Sequence, residues 1–304
     1  MLRVTTRRRA RSQQALCDGL CKLCGSRRAQ HLHTKNDVEL VRCTSCGLVY
    51  VWNPPTRDAI ERLYSFASGY HTAFRSGNSA ESRAHAARAA DFLRIVGRYS
   101  RPGKILDVGC SVGFFLERAR AEGWSTFGVE ISNDTAELAR ERGLDVFTGT
   151  LEEAGLRPGS FDVVTMWDVL EHVEDPVATI AMAAEVLKEE GLLALSTPNI
   201  GGLFPRLSYR AARWTGRWPH PEPPSHLFQF SKTTISRLLS QSGLAPIQIL
   251  DRRIPLSYTF GDRSLLLREP ARLAYAAVFA PVALVAPLAR AGDDMLVIAR
   301  KRIP

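Results

Sequence analysis

From Lys104 onward the chain alternates short apolar runs with longer amphipathic stretches. Ile105-Leu106-Asp107-Val108 reads as a strand, 113–122 as a helix, 126–130 as a second strand, 135–141 as a second helix and Val146-Phe147 as a brief third strand. The strongly apolar 161–166 predicts a fourth strand, followed by a helix over 177–187 and a fifth strand over 192–196. Strands and helices alternating at these lengths predict a parallel sheet covered on both faces. Later segments read as a helix over 233–242 and strands over 246–251 and 295–299. Ahead of the sheet, 80–99 is rich in Ala and Arg, with Phe92, Leu93, Ile95 and Val96 toward its end, as suits a helix lying on that sheet. Asn53-Pro54-Pro55-Thr56 marks a break. It separates a basic arm (1–15) and a cysteine-bearing unit (16–56) from a body spanning 57–304.

Composition sharpens this outline. The 304 residues are 45% hydrophobic and 23% charged, which excludes collagen, coiled-coil and mostly disordered architectures. The net charge of +9 is unevenly spread. Residues 1–60 hold 11 Lys/Arg and four Asp/Glu, so the basicity belongs mainly to the front end. The arm lacks an apolar core of the kind that marks a secretory signal. A solvated tail is the expectation for it, with a nucleic-acid or anionic-surface arm as the alternative. A cytoplasmic setting follows as the default.

Five of the six cysteines fall within thirty residues. Cys21-Lys22-Leu23-Cys24-Gly25 and Cys43-Thr44-Ser45-Cys46-Gly47 are two Cys-x-x-Cys-Gly units. Each places two thiolates on a tight turn, and the following glycine lets backbone amides face the sulfurs. Together Cys21, Cys24, Cys43 and Cys46 predict a tetrahedral structural Zn2+ site, a small zinc ribbon with no open position for catalysis. Cys17 reads as a spare thiol, and His31 and His33 as solvated. Loss of the metal is expected to leave the α/β body largely intact.

The loop after the first strand, Asp107-Val108-Gly109-Cys110-Ser111-Val112-Gly113, is lined with small residues that let a ligand approach the backbone. It fits neither Gly-x-Gly-x-x-Gly nor a P-loop. Glu130 closes the second strand, where a carboxylate can accept both hydroxyls of a ribose. Asp107 can orient a cationic group or the loop itself. At these residues the chain resembles class I S-adenosylmethionine-dependent methyltransferases, with Ser111 standing where that family usually has a glycine. The resemblance implies a Rossmann-like seven-stranded sheet. It also implies S-adenosylmethionine as cofactor, held by Asp107, Gly109, Ser111, Gly113, Glu130 and Ile131, by Thr150 and Leu151 after the third strand, and by Trp167 in Met166-Trp167-Asp168-Val169-Leu170-Glu171-His172-Val173. That last stretch resembles the ubiquinone-type group. The cysteine unit in front is similar to that of bacterial sugar and glycan-cluster methyltransferases.

The acceptor side is less specified. Glu171, His172 and His226 are the candidate acid–base residues. His226 stands just before a helix N-cap at Ser231, and a loop-bracing imidazole is the alternative. Phe204, Arg206, Tyr209, Arg210, Arg213, Trp214, Arg217 and Trp218 place four positive charges and four aromatics in a lid segment (201–225) suited to a phosphate-bearing acceptor or a membrane interface. Residues 273–289 carry no charge, within an apolar helical segment over 265–290 that predicts a buried or lipid-surface helix pair. The expected partner is a small-molecule, sugar-nucleotide or glycan acceptor, with lipid linkage and peripheral contact at the inner membrane face as extensions. An RNA or protein methyltransferase, and a binding module with a vestigial cofactor fold, are the rival readings.

Overall fold

Eleven strands and nine helices lie within residues 19–56, 80–216, 218 and 220–302, the part of the chain that the computed structural model describes. Seven strands form the main sheet: β4 (Lys104–Val108), β5 (Ser125–Glu130), β6 (Val146–Thr148), β7 (Phe161–Trp167), β8 (Leu187–Pro198), β10 (Leu244–Arg252) and β11 (Asp294–Lys301). Their order is β10-β11-β8-β7-β4-β5-β6, with β4 to β8 parallel and β11 running antiparallel between β8 and β10. The expected seven-stranded α/β sheet is therefore present. Burial on both faces explains the apolar text of β7 and of β8 from Leu192 to Leu195. Strand β8 begins five residues earlier than its apolar run: Leu187 pairs with Phe161, and the exposed Lys188, Glu189 and Glu190, which the register skips, interrupt the hydrophobic pattern.

The helices cover the sheet. Among them α1 (Ala80–Val96) buries Phe92, Leu93, Ile95 and Val96 in one cluster with Ile105, Val163 and Leu296, as its apolar end predicts. That cluster also takes in Phe115 and Leu116 of α2 (Phe114–Ala121) and Ala136 and Ala139 of α3 (Asn133–Glu141). α4 (Pro176–Val186) starts with Pro176 and is capped by Asp175, whose carboxylate accepts from the Val177 and Ala178 amides, each at 3.0 Å. α5 (Leu203–Thr215) follows β8, and α6 (Lys232–Gln241) opens on the expected Ser231 cap, where Ser231 and Thr234 form a capping box. α7 (Leu256–Phe260), α8 (Arg263–Arg268) and α9 (Pro270–Val285) fill the connection between β10 and β11.

The cysteine unit is not a free-standing bead. Its strands β1 (Ala29–Lys35), β2 (Val38–Cys43) and β3 (Val49–Val51) continue into β9 (Phe228–Gln229), a two-residue strand from the body. Val49 pairs with Gln229 and Tyr50 with Phe228, and the Val51 amide donates to Leu227 O at 2.9 Å. Leu23, Val41, Leu48 and Tyr50 share one core cluster with Leu227, Phe228, Phe230 and residues of the main sheet. The unit and the body thus share a sheet and a core cluster. His33 is half-buried edge-on to Trp218, with ring centroids 5.7 Å apart, rather than solvated. The arm, Cys17 and Arg217 lie outside the described residues.

Candidate active site

After β4 the chain steps outward to β5 and β6, then returns to β7 on the other side of β4. That reversal opens a crevice at the carboxyl ends of β4 and β7, the place where open α/β sheets take ligands. The loop after β4 is held there by backbone geometry. The Gly109 amide donates to Val129 O at 2.7 Å, and Gly109 and Gly113 sit at φ of 72° and 85°. A Cβ at these positions would stand 2.5 Å from Val169 Cγ2 and 2.2 Å from Leu144 Cδ1 respectively, so conformation and space both demand glycine. Ser111 adopts φ of 50°, the left-handed conformation that the family's glycine would supply. Its amide donates to Glu130 Oε2 at 2.8 Å, which anchors the substituted loop.

Glu130 is buried, and its other oxygen accepts from the Ser132 amide at 2.9 Å. The Thr135 hydroxyl and the Ile131 amide also act on this carboxylate. Burial raises the Glu130 carboxyl despite these amides. Asp107, wholly inside, is pushed up to about 8 by burial, with Glu130 adding to the shift. The Thr165 hydroxyl donates toward two acceptors, Asp107 Oδ1 at 2.6 Å and Leu106 O at 3.2 Å. Beside Glu130, Ile131 is exposed at the strand end, and Leu151 is buried next to a half-buried Thr150. Trp167 stacks on Phe92 with centroids 4.0 Å apart and leaves its buried Nε1 without a partner.

Across the crevice the structure brings Glu171, His172 and His226 together, with one ligand atom of each within 4.8 Å of the others. Glu171 and His172 lie in the loop between β7 and α4. Glu171 Oε2 accepts from Thr197 Oγ1 at 3.0 Å, its carbonyl accepts from the Leu227 and Phe228 amides, and its Oε1 is buried without a partner. Burial, reinforced by Asp168, holds this carboxyl far above the usual range. His172 Nδ1 lies 2.8 Å from Ser225 O, and its ring meets that of His226 edge-on at 4.6 Å. Burial, followed by the neighbouring His172 and His220, depresses His226 well below an ordinary imidazole. His226 Nε2 is 3.9 Å from Glu222 Oε2, too long for a hydrogen bond.

Several groups here escaped the sequence reading. Asp168, at φ of 56°, accepts from Ser196 Oγ and pairs with Arg88 of α1, both at 2.6 Å. Asp294, pushed up to about 8 by burial with Asp168 alongside, comes in at the start of β11. His220 is buried with Nε2 unpartnered and is depressed to about 3. Of these, Asp168 alone had a signal, its place directly after an apolar strand. In the lid segment Arg206, Arg210 and Arg213 are exposed along one stripe of α5, while Phe204, Ser208 and Ala212 face inward.

The four knuckle cysteines fit a metal. Cys21 and Cys46 sulfurs lie 3.5 Å apart, those of Cys24 and Cys43 lie 3.6 Å apart, and all four fall within 4.8 Å. A tetrahedral zinc with Zn–S bonds of about 2.3 Å separates its sulfurs by roughly 3.8 Å. Burial pushes the Cys21 thiol up. At Cys43 burial is outweighed by the Cys46 and Ser45 amides, and its thiol is held at about 6.

Comparison with known proteins gives the family and the fold. The family described as "Methyltransferase domain" matches residues 80–249, which excludes the cysteine unit. A ubiquinone biosynthesis O-methyltransferase of Xanthomonas campestris pv. campestris (strain B100) is 35% identical over 123 residues, covering 38% of this chain and 52% of that protein. One from Saccharophagus degradans is 38% identical over 103 residues, covering 32% and 44%. The chain thus spans about half the length of the curated relatives it matches. A SAM-dependent methyltransferase from Thermotoga maritima superposes with a TM-score of 0.52 at 18% identity, over 81% of this chain and 100% of that one, a likeness of fold.

Proposed function

The chain belongs to the methyltransferase-domain family, and on that premise we propose that it methylates the oxygen or carbon of a small acceptor. S-adenosylmethionine supplies the activated methyl when bound. The observation that carries this reading is the crevice itself: a glycine-shaped loop whose Ser111 amide is tied to Glu130 at 2.8 Å, at the point where the strand order reverses.

Glu130 would accept from the ribose hydroxyls, and Ile131, Thr150 and Leu151 would line the adenine side. Gly109, Ser111 and Gly113 let the backbone approach the ligand. Asp107 would meet the cationic end, whose charge would favour the ionised form of this carboxyl. Trp167 Nε1 is a buried donor that a ligand atom can satisfy. His226, kept neutral by burial, takes the acceptor's proton, while Glu171 and His172 hold it in place. The knuckle cysteines hold a structural zinc that stiffens β3 and, through β9, the loop carrying His226.

The acceptor belongs to the sugar-nucleotide, glycan or lipid-linked class. Radiolabelled methyl transfer into nucleotide-sugar, lipid and RNA fractions tests this. Label in the first two supports the reading. Label in RNA alone, with affinity that falls steeply as salt rises, overturns the acceptor assignment.

A further inference from the structure

Antiparallel neighbours are commonly joined by a tight turn. Between β10 and β11 the chain instead inserts α7, α8 and α9. Phe260, Ala276, Phe279 and Ala283 turn inward and pack with Phe204 of α5. The outward side of α9 is apolar too: Val278 is 64% exposed, Leu273, Leu284 and Val285 are about half exposed, and Leu288, just past its end, is 87% exposed. No charged residue occurs over 273–289. A helix at the surface of a soluble protein carries polar side chains outward, so one that is apolar all round lies against something.

Two features choose the occupant. The first is length. At 16 residues α9 measures about 24 Å, short of the roughly 30 Å of a bilayer core. No helix among the described residues is long and apolar enough to cross a membrane, and β11 returns directly to the sheet between β8 and β10. Such a helix can lie in an interface but not span it. The second is charge. Arg263, Arg268 and Arg290 are exposed around the apolar face. α5, packed on α9 through Phe204 and Phe279 at 5.9 Å, adds exposed Arg206, Arg210 and Arg213 and ends in Trp214, 92% exposed. Between Leu256 and Leu288 the acids are Asp262, which caps α8, and Glu269, which pairs with Arg272 at 2.9 Å. A second copy docking symmetrically would set arginine against arginine. Lipid phosphates complement that rim, and acyl chains complement its centre.

We propose that α9 and its arginine rim seat the protein on an anionic lipid bilayer, with the outward face of α9 lying in the interface. The proposal is independent of the acceptor, since it concerns binding in the absence of any substrate. Flotation of the full chain with phosphatidylcholine vesicles, with and without phosphatidylglycerol, tests it. Binding is expected to vesicles containing phosphatidylglycerol and to fall as salt rises. Val278→Glu combined with Leu288→Glu should weaken it about tenfold or more, since each change forfeits the burial of an apolar side chain, with the melting temperature unchanged. Should that variant fold poorly, Arg206→Gln with Arg268→Gln, both exposed, must still lose the preference for anionic vesicles. Absence of vesicle binding by the unaltered chain overturns the proposal. So does binding indifferent to these substitutions, or a dimer that Val278→Glu and Leu288→Glu dissociate while no vesicles are bound.

Discussion

The proposed cofactor side of the crevice is drawn from residues 105–151 together with Trp167, whereas the opposite side joins segments far apart in the chain. The loop between β7 and α4 brings Glu171 and His172. The end of β8 brings Thr197, and the stretch before β9 brings His226. Beneath them the cysteine sheet grips β9, Lys35 donates to Pro221 O at 2.7 Å, and Tyr209 donates to Leu32 O at 3.3 Å. One side is therefore fixed by local strand–loop–helix geometry, the other by tertiary assembly. Substitutions in the first should act on donor affinity, and substitutions in the second on turnover.

The largest expected effect belongs to the assembled side. His226→Ala should lower turnover about 10²-fold or more, the scale of a lost general base, with donor affinity unchanged. Full turnover with only a lower melting temperature would mean that the imidazole braces its loop, and the base must then be Glu171, His172 or the acceptor itself. Next comes Cys43→Ser. Metal analysis should fall from about one zinc per chain to none. Because β3 pairs with β9, turnover and melting temperature should fall together while S-adenosylmethionine still binds. Loss of donor binding as well would erase the distinction between the two sides.

Smaller effects sharpen the local side. Asp107 carries its proton up to about 8, so a cationic donor must displace it below that pH. Donor affinity should therefore rise with pH from the ordinary carboxylate range to about 8 and then level, by at most about 1.4 kcal/mol per pH unit. Calorimetry in buffers of different ionisation enthalpy should register the released proton, and Asp107→Asn should flatten the profile. The least effect is expected of Ser111→Gly, which relieves a left-handed backbone at some entropic cost. Stability and donor affinity should stay within about 1 kcal/mol.

The same contrast governs what could be read from the sequence. Strands β4 and β7 were legible because each is a largely buried apolar run, and Glu130 because it closes the next strand, β5. Strand β9 was not, since two residues carry no period and their pairing with β3 bridges residues 49–50 and 228–229. His226 was recognisable as a residue, but its meeting with His172 depends on where the chain folds back. The exposure of the α5 arginines was open to a helical reading, since 206, 210 and 213 fall on one stripe; the direction of that stripe was not.

The central claim is that Glu130 and the loop it braces hold S-adenosylmethionine at the ends of β4 and β5. Isothermal titration of S-adenosylmethionine into the unaltered chain and into Glu130→Ala tests it most directly, with melting temperatures taken in parallel. Saturable binding is predicted for the former, weakened in the latter by about 1.5–3 kcal/mol, the range for hydrogen bonds to a charged group. No binding by the unaltered chain, or the same affinity in a folded Glu130→Ala, would contradict the account.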